Sequence, residues 1–276
     1  MKINKFLLIL SILSFYSVNA IAGLGPRLYI VEKEGQTSYL FGTIHTGVNF
    51  SELPPSVQSA AKESDTLVIE TDLKGADPLM REAFPMGEVN SLKYLLSEKE
   101  WNILFNKLSP FFKGHESIVG RFHPTMALMF FNSMTFKETA EPIDRTLEAL
   151  ASNNKKETLY FESVESQIEL VKQIFTLDSL KETLNLDPEV TNNSTKELVK
   201  LYLDGNLDEL NNFMTDELGK NYEIVVTKRN IAWSKKFDSV FAHPGKEFVA
   251  VGAGHLGGEF GLINLLRSQG YNINPL

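Results

Sequence analysis

Four short apolar runs, each closing on an imidazole or a carboxylate, constrain this chain more than any other feature. Residues 39–44 lead through Gly42 to His45, and residues 66–69 stop at Glu70. Residues 158–161 stop at Glu162, and residues 248–251 pass through Gly252-Ala253-Gly254 to His255. Apolar, β-favouring runs this short, bounded by glycine or polar residues, read as buried strands. In an open parallel sheet the strand carboxyl ends gather along one edge, where ligands bind, so the four polar residues can converge there from distant parts of the chain.

Between these runs the spacing is helical. Residues 28–31 and 37–41 predict an antiparallel hairpin that turns at Gly35. Pro54-Pro55 opens a helix to about Glu63, and the strand at 66–69 follows as the second strand of a βαβ unit, parallel to the first. Ser97 with Glu100 forms a capping box before Trp101, Leu104, Phe105 and Leu108. Pro124 starts an apolar helix through Met126, Leu128, Met129, Phe130 and Phe131, and another helix runs from Pro142 to about Ala151. Further helices are expected from about Glu165 into the 170s, at 195–203, at 207–218, at about 222–241 and at 260–268. Asp204-Gly205-Asn206 splits the second and third of these, Gly270 closes the last, and residues 271–273 add a terminal strand. The expected fold class is α/β: a mixed sheet with βαβ units, an N-terminal hairpin and a large helical insertion at about 76–156, all in one domain spanning 23–276.

Residues 1–22 read as a secretory signal. Lys2 and Lys5 precede an uncharged stretch at 6–18, and Ala20-Ile21-Ala22 offers small residues for cleavage. That stretch is short for a membrane span and no later one is long enough, so the mature chain is expected to be exported, periplasmic or secreted, without a stable span. With no cysteine the exported chain must be stable without disulfides, which a core of this size permits. The formal net charge is −8, and losing Lys2 and Lys5 makes the mature part more acidic still. Such a balance argues against nucleic acid or anionic lipid as a partner.

Two imidazoles and a carboxylate at one sheet edge are an inventory for a divalent transition metal such as manganese, cobalt or zinc. His45, His255 and Glu70 are the expected ligands. Glu70 and Glu162 compete for the role of base, and the sequence does not order them. Gly42, Gly252 and Gly254 lack Cβ atoms and let the backbone approach a bound group. Arg229, inside a helix beside Lys228, is either a surface charge or a grip for an anion. Asp144 is a helix-start carboxylate or a site residue. His115 and His243 sit in polar, loop-like surroundings, His123 precedes Pro124, and Glu165 suits a first helical turn; all four are expected away from the chemistry.

Taken together, residues 40–47, 67–70, Glu162 with Gln167, Lys228-Arg229-Asn230 with Trp233, and 251–256 through Gly270-Tyr271 resemble the TraB/GumN family, also called the Tiki-like superfamily. The resemblance runs over almost all of the mature chain. It implies an α/β protein with two Gly-x-x-His motifs, at His45 and His255, and an essential glutamate at Glu70. It also places Glu162, Asp144 and Arg229 at further polar positions of the family. For the animal members it implies a metal-dependent protease acting on secreted proteins. His123-Pro124-Thr125 stands where the family often has Lys-Pro-Trp, a departure that bears on any shared substrate groove.

Three readings of function follow. The first is an exported metal-dependent hydrolase, a peptidase acting on peptides or proteins. The second is a metal-free esterase-type hydrolase working through a His/Glu pair. The third is an exported peptide- or cofactor-binding protein without turnover, using Met126, Met129, Phe130 and Phe131 as an apolar groove.

Overall fold

A computed structural model describes residues 28–45, 47–135, 142–242 and 245–276. The expected signal at 1–22 and His243 lie outside the described residues. Six strands form one mixed sheet: β1 (Leu28–Lys33), β2 (Gln36–Thr43), β3 (Thr66–Ile69), β4 (Glu157–Tyr160), β5 (Glu247–Gly252) and β6 (Asn272–Pro275), in the order β4-β3-β5-β2-β1-β6. β1 and β2 are the expected hairpin, turning at Glu34-Gly35 with φ of 52° and 83°. Two positive φ angles give the turn a twist that matches the flanking strands.

The βαβ reading needs one amendment. β2 and β3 are parallel, but they are not neighbours: β5, from the far end of the chain, lies between them and pairs with both. Apolar character explains the place it takes. Phe248 and Ala250 point into one core while Val249 and Val251 point into the other, so both faces of β5 are covered. The parallel set β4-β3-β5-β2 puts the carboxyl ends of four strands on one edge.

Helices cover both faces. One face packs Phe41, Leu67, Ile69 and Phe248 against the helices Pro55–Glu63, Ile143–Asn153, Pro188–Asp204 and Leu207–Leu218. The other packs Leu40, Val68, Val249 and Val251 against Lys228–Ser234, Phe237–Val240 and Leu262–Ser268. A separate helical cluster holds Trp101, Leu104, Leu108 and Leu128 together with Leu180 and Leu184, which follow β4. The helix Pro124–Thr135 is thus part of a core: Leu128 is fully buried, and Phe130 and Phe131 pack against the cluster.

The start and stop signals act where the sequence puts them. Ser97 and Glu100 form the capping box of Glu98–Leu108, and Gly205, at φ 67°, ends Pro188–Asp204 before Asn206 caps the next helix. The continuous helix expected over 222–241 is instead broken. A wide π-helical turn (Glu223–Thr227) leads into Lys228–Ser234, and Lys235-Lys236 interrupts before Phe237–Val240. Among the described residues four α-helices carried no sequence expectation: Leu73–Ala83, Ser91–Leu95, Glu116–Val119 and Leu177–Leu184.

Candidate functional site

The strand-end residues meet on the shared edge, and Arg229 stands among them. Its Nη2 lies 2.5 Å from Glu70 Oε2 and 2.5 Å from Glu162 Oε1, its Nε is 3.0 Å from Glu162 Oε1, and its Nη1 is 3.2 Å from the Val225 carbonyl and 3.2 Å from His255 Nε2. A guanidinium has five N–H donors, and these contacts engage every one of them. Arg229 is therefore committed within the protein and acts on its surroundings by charge and by position. Pi-helical turns recur at functional sites, and here one immediately precedes the helix that carries Arg229.

Each carboxylate is held twice. Glu70 Oε1 accepts the Gly252 amide at 2.8 Å, and Glu162 also accepts from Gln167 Nε2. Burial pushes the Glu70 carboxyl up, but the Arg229 charge above all, with the Gly252 amide, outweighs it and leaves the group at about 2. Glu70 is thus an acceptor at any ordinary pH.

His255 follows β5 on the 3-10 turn Ala253–His255 and is buried. Its tautomer follows from Asn230. The Asn230 Nδ2 donates to the carbonyls of His255 (3.0 Å) and Phe260 (2.8 Å), so its Oδ1 must face His255 Nδ1, 2.7 Å away, and accept its proton. That leaves Nε2 as a lone pair, matched by the Arg229 donor. Burial depresses the His255 imidazole to about 3, the nearby Glu70 charge offsetting only part of the effect. Trp233 backs both groups, its ring centroid 4.6 Å from the His255 ring and 4.4 Å from the Arg229 guanidinium carbon.

His45 belongs to a second pair at the β2 end of the edge. Its Nδ1 is 2.9 Å from Asp144 Oδ2, and Asp144 Oδ1 accepts from Thr43 Oγ1 at 2.8 Å. Asp144 comes from the first turn of Ile143–Asn153 and is 7 % exposed at the side chain, whereas His45 is 63 % exposed. The Asp144 charge raises the His45 imidazole to about 9; solvent on the ring's outer side moderates that pull, and the upward direction stands. The charges of Glu70 and Arg229 also bear on His45, so the two groups form one electrostatic unit.

The glycines differ in what they adjoin. A Cβ on Gly42 would lie 2.9 Å from the Ala253 Cα and 2.9 Å from Leu256 Cδ1, so its bareness serves packing of β2 against the turn that carries His255. Gly252 faces Glu70 and His255, at 3.4 and 3.5 Å from such a Cβ, and Gly254 faces Met214 at 3.3 Å. His115 precedes the short helix Glu116–Val119 and is exposed, and Glu165 is exposed in the first turn of Val164–Ile174. His123 packs on Phe84 with ring centroids 5.2 Å apart, in a separate cavity lined by Phe84, Phe175 and Lys172.

The residues named for a metal do not fit as one ligand set in this arrangement. His255 Nε2 and Glu70 Oε1 are 3.9 Å apart, but Arg229 donates to the first and to the other oxygen of the second, and His45 turns its Nδ1 to Asp144. Among the described residues no three His, Cys, Asp or Glu side chains are placed to hold one ion. Asn230 and Thr43 were given no role in the site from the sequence, although both lie in stretches that carry the family resemblance. Asn230 carried a faint signal, a poor helix former between Arg229 and the apolar Ile231-Ala232-Trp233.

Comparison with known proteins bears on the whole of this architecture. The family model described as "TraB/PrgY/gumN family" matches residues 27–275. A protein of Shigella flexneri named "Uncharacterized protein YbaP" is 25% identical over 262 residues, covering 88% of this chain and 92% of the relative. The protein of the same name from Escherichia coli (strain K12) shows the same identity and coverage.

Proposed function

Because the chain belongs to the TraB/PrgY/gumN family, whose model spans almost all of it, we propose that it is an exported hydrolase that cleaves an ester or amide carbonyl at the His45 end of this edge without a resident metal. The observation that carries the reading is the position of Arg229, whose fixed positive charge stands among Glu70, Glu162 and His255. His45 is the only one of these groups that is open to solvent on one side and oriented by a buried carboxylate on the other. With Nδ1 held by Asp144, its Nε2 faces outward to exchange a proton with water or a leaving group. The Asp144 charge keeps much of His45 protonated at neutral pH, so its basic fraction grows with alkalinity.

The other groups prepare the reaction without exchanging protons. Glu70, always ionised, offers an acceptor that orients water, and Arg229 supplies positive potential that favours a developing oxyanion. Asn230 and Trp233 keep His255 and Arg229 in place. His45→Ala is expected to abolish turnover of a panel of esters, lactones and peptides while the protein stays folded. Full activity in that variant would remove the mechanism. Recovery of every ligand unchanged and in stoichiometric amount from the wild type would turn the reading into that of a binding protein.

A metal-dependent peptidase is the second reading, favoured by the two unprotonated donors 3.9 Å apart at His255 and Glu70. It requires Arg229 to withdraw from His255 and His45 to leave Asp144. Loss of all turnover on chelation, restored by manganese, cobalt or zinc, would select it.

A further inference from the structure

A cavity of about 420 Å³ opens beside the site at its β4 end, and its charge runs against that of the chain. Lys228, Arg229 and Lys236 line it with a single carboxylate, Glu162, whereas the whole chain has a formal net charge of −8. Glu162 is already engaged by Arg229 and Gln167. The two lysines are available. Lys228 meets Glu223 at 3.2 Å with both side chains mostly exposed, a pairing that water makes weak. Lys236 donates to the Phe161 carbonyl and has no carboxylate against it among the described residues. Ser163 and Ser166 add hydroxyls at the rim, and Trp233 forms part of the wall.

We infer that this cavity is a subsite for a carboxylate of the substrate, one that lies remote from the bond that is cleaved. The sheet sets the spacing. His45 follows β2 and Glu162 follows β4, three strand intervals apart along the edge, which is about 14 Å or about four residues of extended peptide. A substrate lying along the edge with its reacting carbonyl near His45 therefore places a group four residues away between Lys228 and Lys236. The favoured substrate is an acidic peptide, or another extended molecule with a carboxylate at that distance. The position of the cleaved bond rests on the hydrolytic reading above; carboxylate binding in the cavity does not.

Trp233 supplies a readout independent of turnover, because its ring carries Arg229 at 4.4 Å and responds to a charge arriving beside it. The chain has two tryptophans, so Trp101→Phe leaves Trp233 as the sole tryptophan, excited selectively at the red edge of the absorption band where the tyrosines do not absorb. Glutarate titrated into that protein is expected to give a saturable change in emission, and the uncharged glutaramide none. Lys228→Gln is expected to raise the half-saturation concentration several-fold, and Lys228→Gln with Lys236→Gln at least tenfold, while Lys235→Gln, outside the cavity, leaves it unchanged. Lys228 is exposed, so its single variant tests the subsite even where the double variant fails to fold. Equal responses to glutarate and glutaramide, no saturable response, or lysine variants that bind like the parent would overturn the inference. Glutarate binding in a protein that hydrolyses nothing would leave the subsite standing and sink the hydrolase.

Discussion

Arg229→Met removes the cation that holds the edge together, and its effect can be worked out from Glu70. With Arg229 present the Glu70 carboxyl sits at about 2, against an ordinary value of 4.5. Its ionised form is therefore favoured by the fold, a contribution present above about pH 4.5 and lost as pH falls through about 2. That difference corresponds to about 3 kcal/mol at pH 7, which falls within the roughly 3–5 kcal/mol cost of breaking a buried ion pair from one side. Without Arg229, burial is the largest influence left on Glu70 and favours its protonated form. Urea denaturation followed by circular dichroism should show the variant less stable by about 3–5 kcal/mol at pH 7. The gap should narrow by at least about a third at pH 3.5, where the wild type has lost part of the same contribution. Adding Glu70→Gln should recover about 1–2 kcal/mol, because the stranded charge is gone. A loss under about 1 kcal/mol at pH 7, or one that does not change with pH, would refute the assignment of Arg229 as the charge that keeps Glu70 ionised.

Other perturbations separate the remaining parts. The His45 ring protons, followed by NMR, should titrate above 6.5 in the wild type and return toward 6.5 in Asp144→Asn; a wild-type midpoint at 6.5 would mean the pair does not form in solution. His255, held neutral with its imidazole near 3, makes the fold lose stability as pH falls from about 6.5 toward 3, and His255→Gln should flatten that part of the stability profile. Asn230→Ala leaves His255 Nδ1, the buried His255 carbonyl and the half-buried Phe260 carbonyl without this partner and should cost about 2–3 kcal/mol, measured by the same denaturation. Gly42→Ala drives a methyl to 2.9 Å from the Ala253 backbone and should cost about 1–3 kcal/mol; an unchanged midpoint would show that the turn before His255 gives way freely.

The strands were legible because their signals are local. An apolar run with a glycine or a carboxylate at its end identifies itself, and a parallel sheet then brings those ends together without further information, as it does for Glu70, Glu162 and His255. Which strands are neighbours was not legible, since the place of β5 between β2 and β3 is decided by having both faces covered, a property of the whole core. The role of Arg229, named from the sequence as either a surface charge or a grip for an anion, stayed open for a related reason. Arg229 lies on a helix beside Lys228, and no pattern of spacing distinguishes a solvated charge from one buried against two carboxylates. Asp144 was equally ambiguous as a helix-start carboxylate, until Thr43 and His45 proved to be its partners. The break at Lys235-Lys236 was hidden by good helix formers, and Lys236 there reaches across to the Phe161 carbonyl, a contact that no local pattern announces.

In the proposed reading His45, tuned by Asp144 beside a fixed guanidinium, carries the chemistry without a metal. The most direct measurement is the pH dependence of hydrolysis by wild type and Asp144→Asn after exhaustive chelation, on whichever ester, lactone or peptide the wild type turns over. Chelated wild type is expected to keep its rate, with activity rising as His45 loses its proton above neutrality, and the rise is expected to move to lower pH in Asp144→Asn. Activity abolished by chelation and restored by an added divalent metal would contradict it, as would a profile that Asp144→Asn leaves in place.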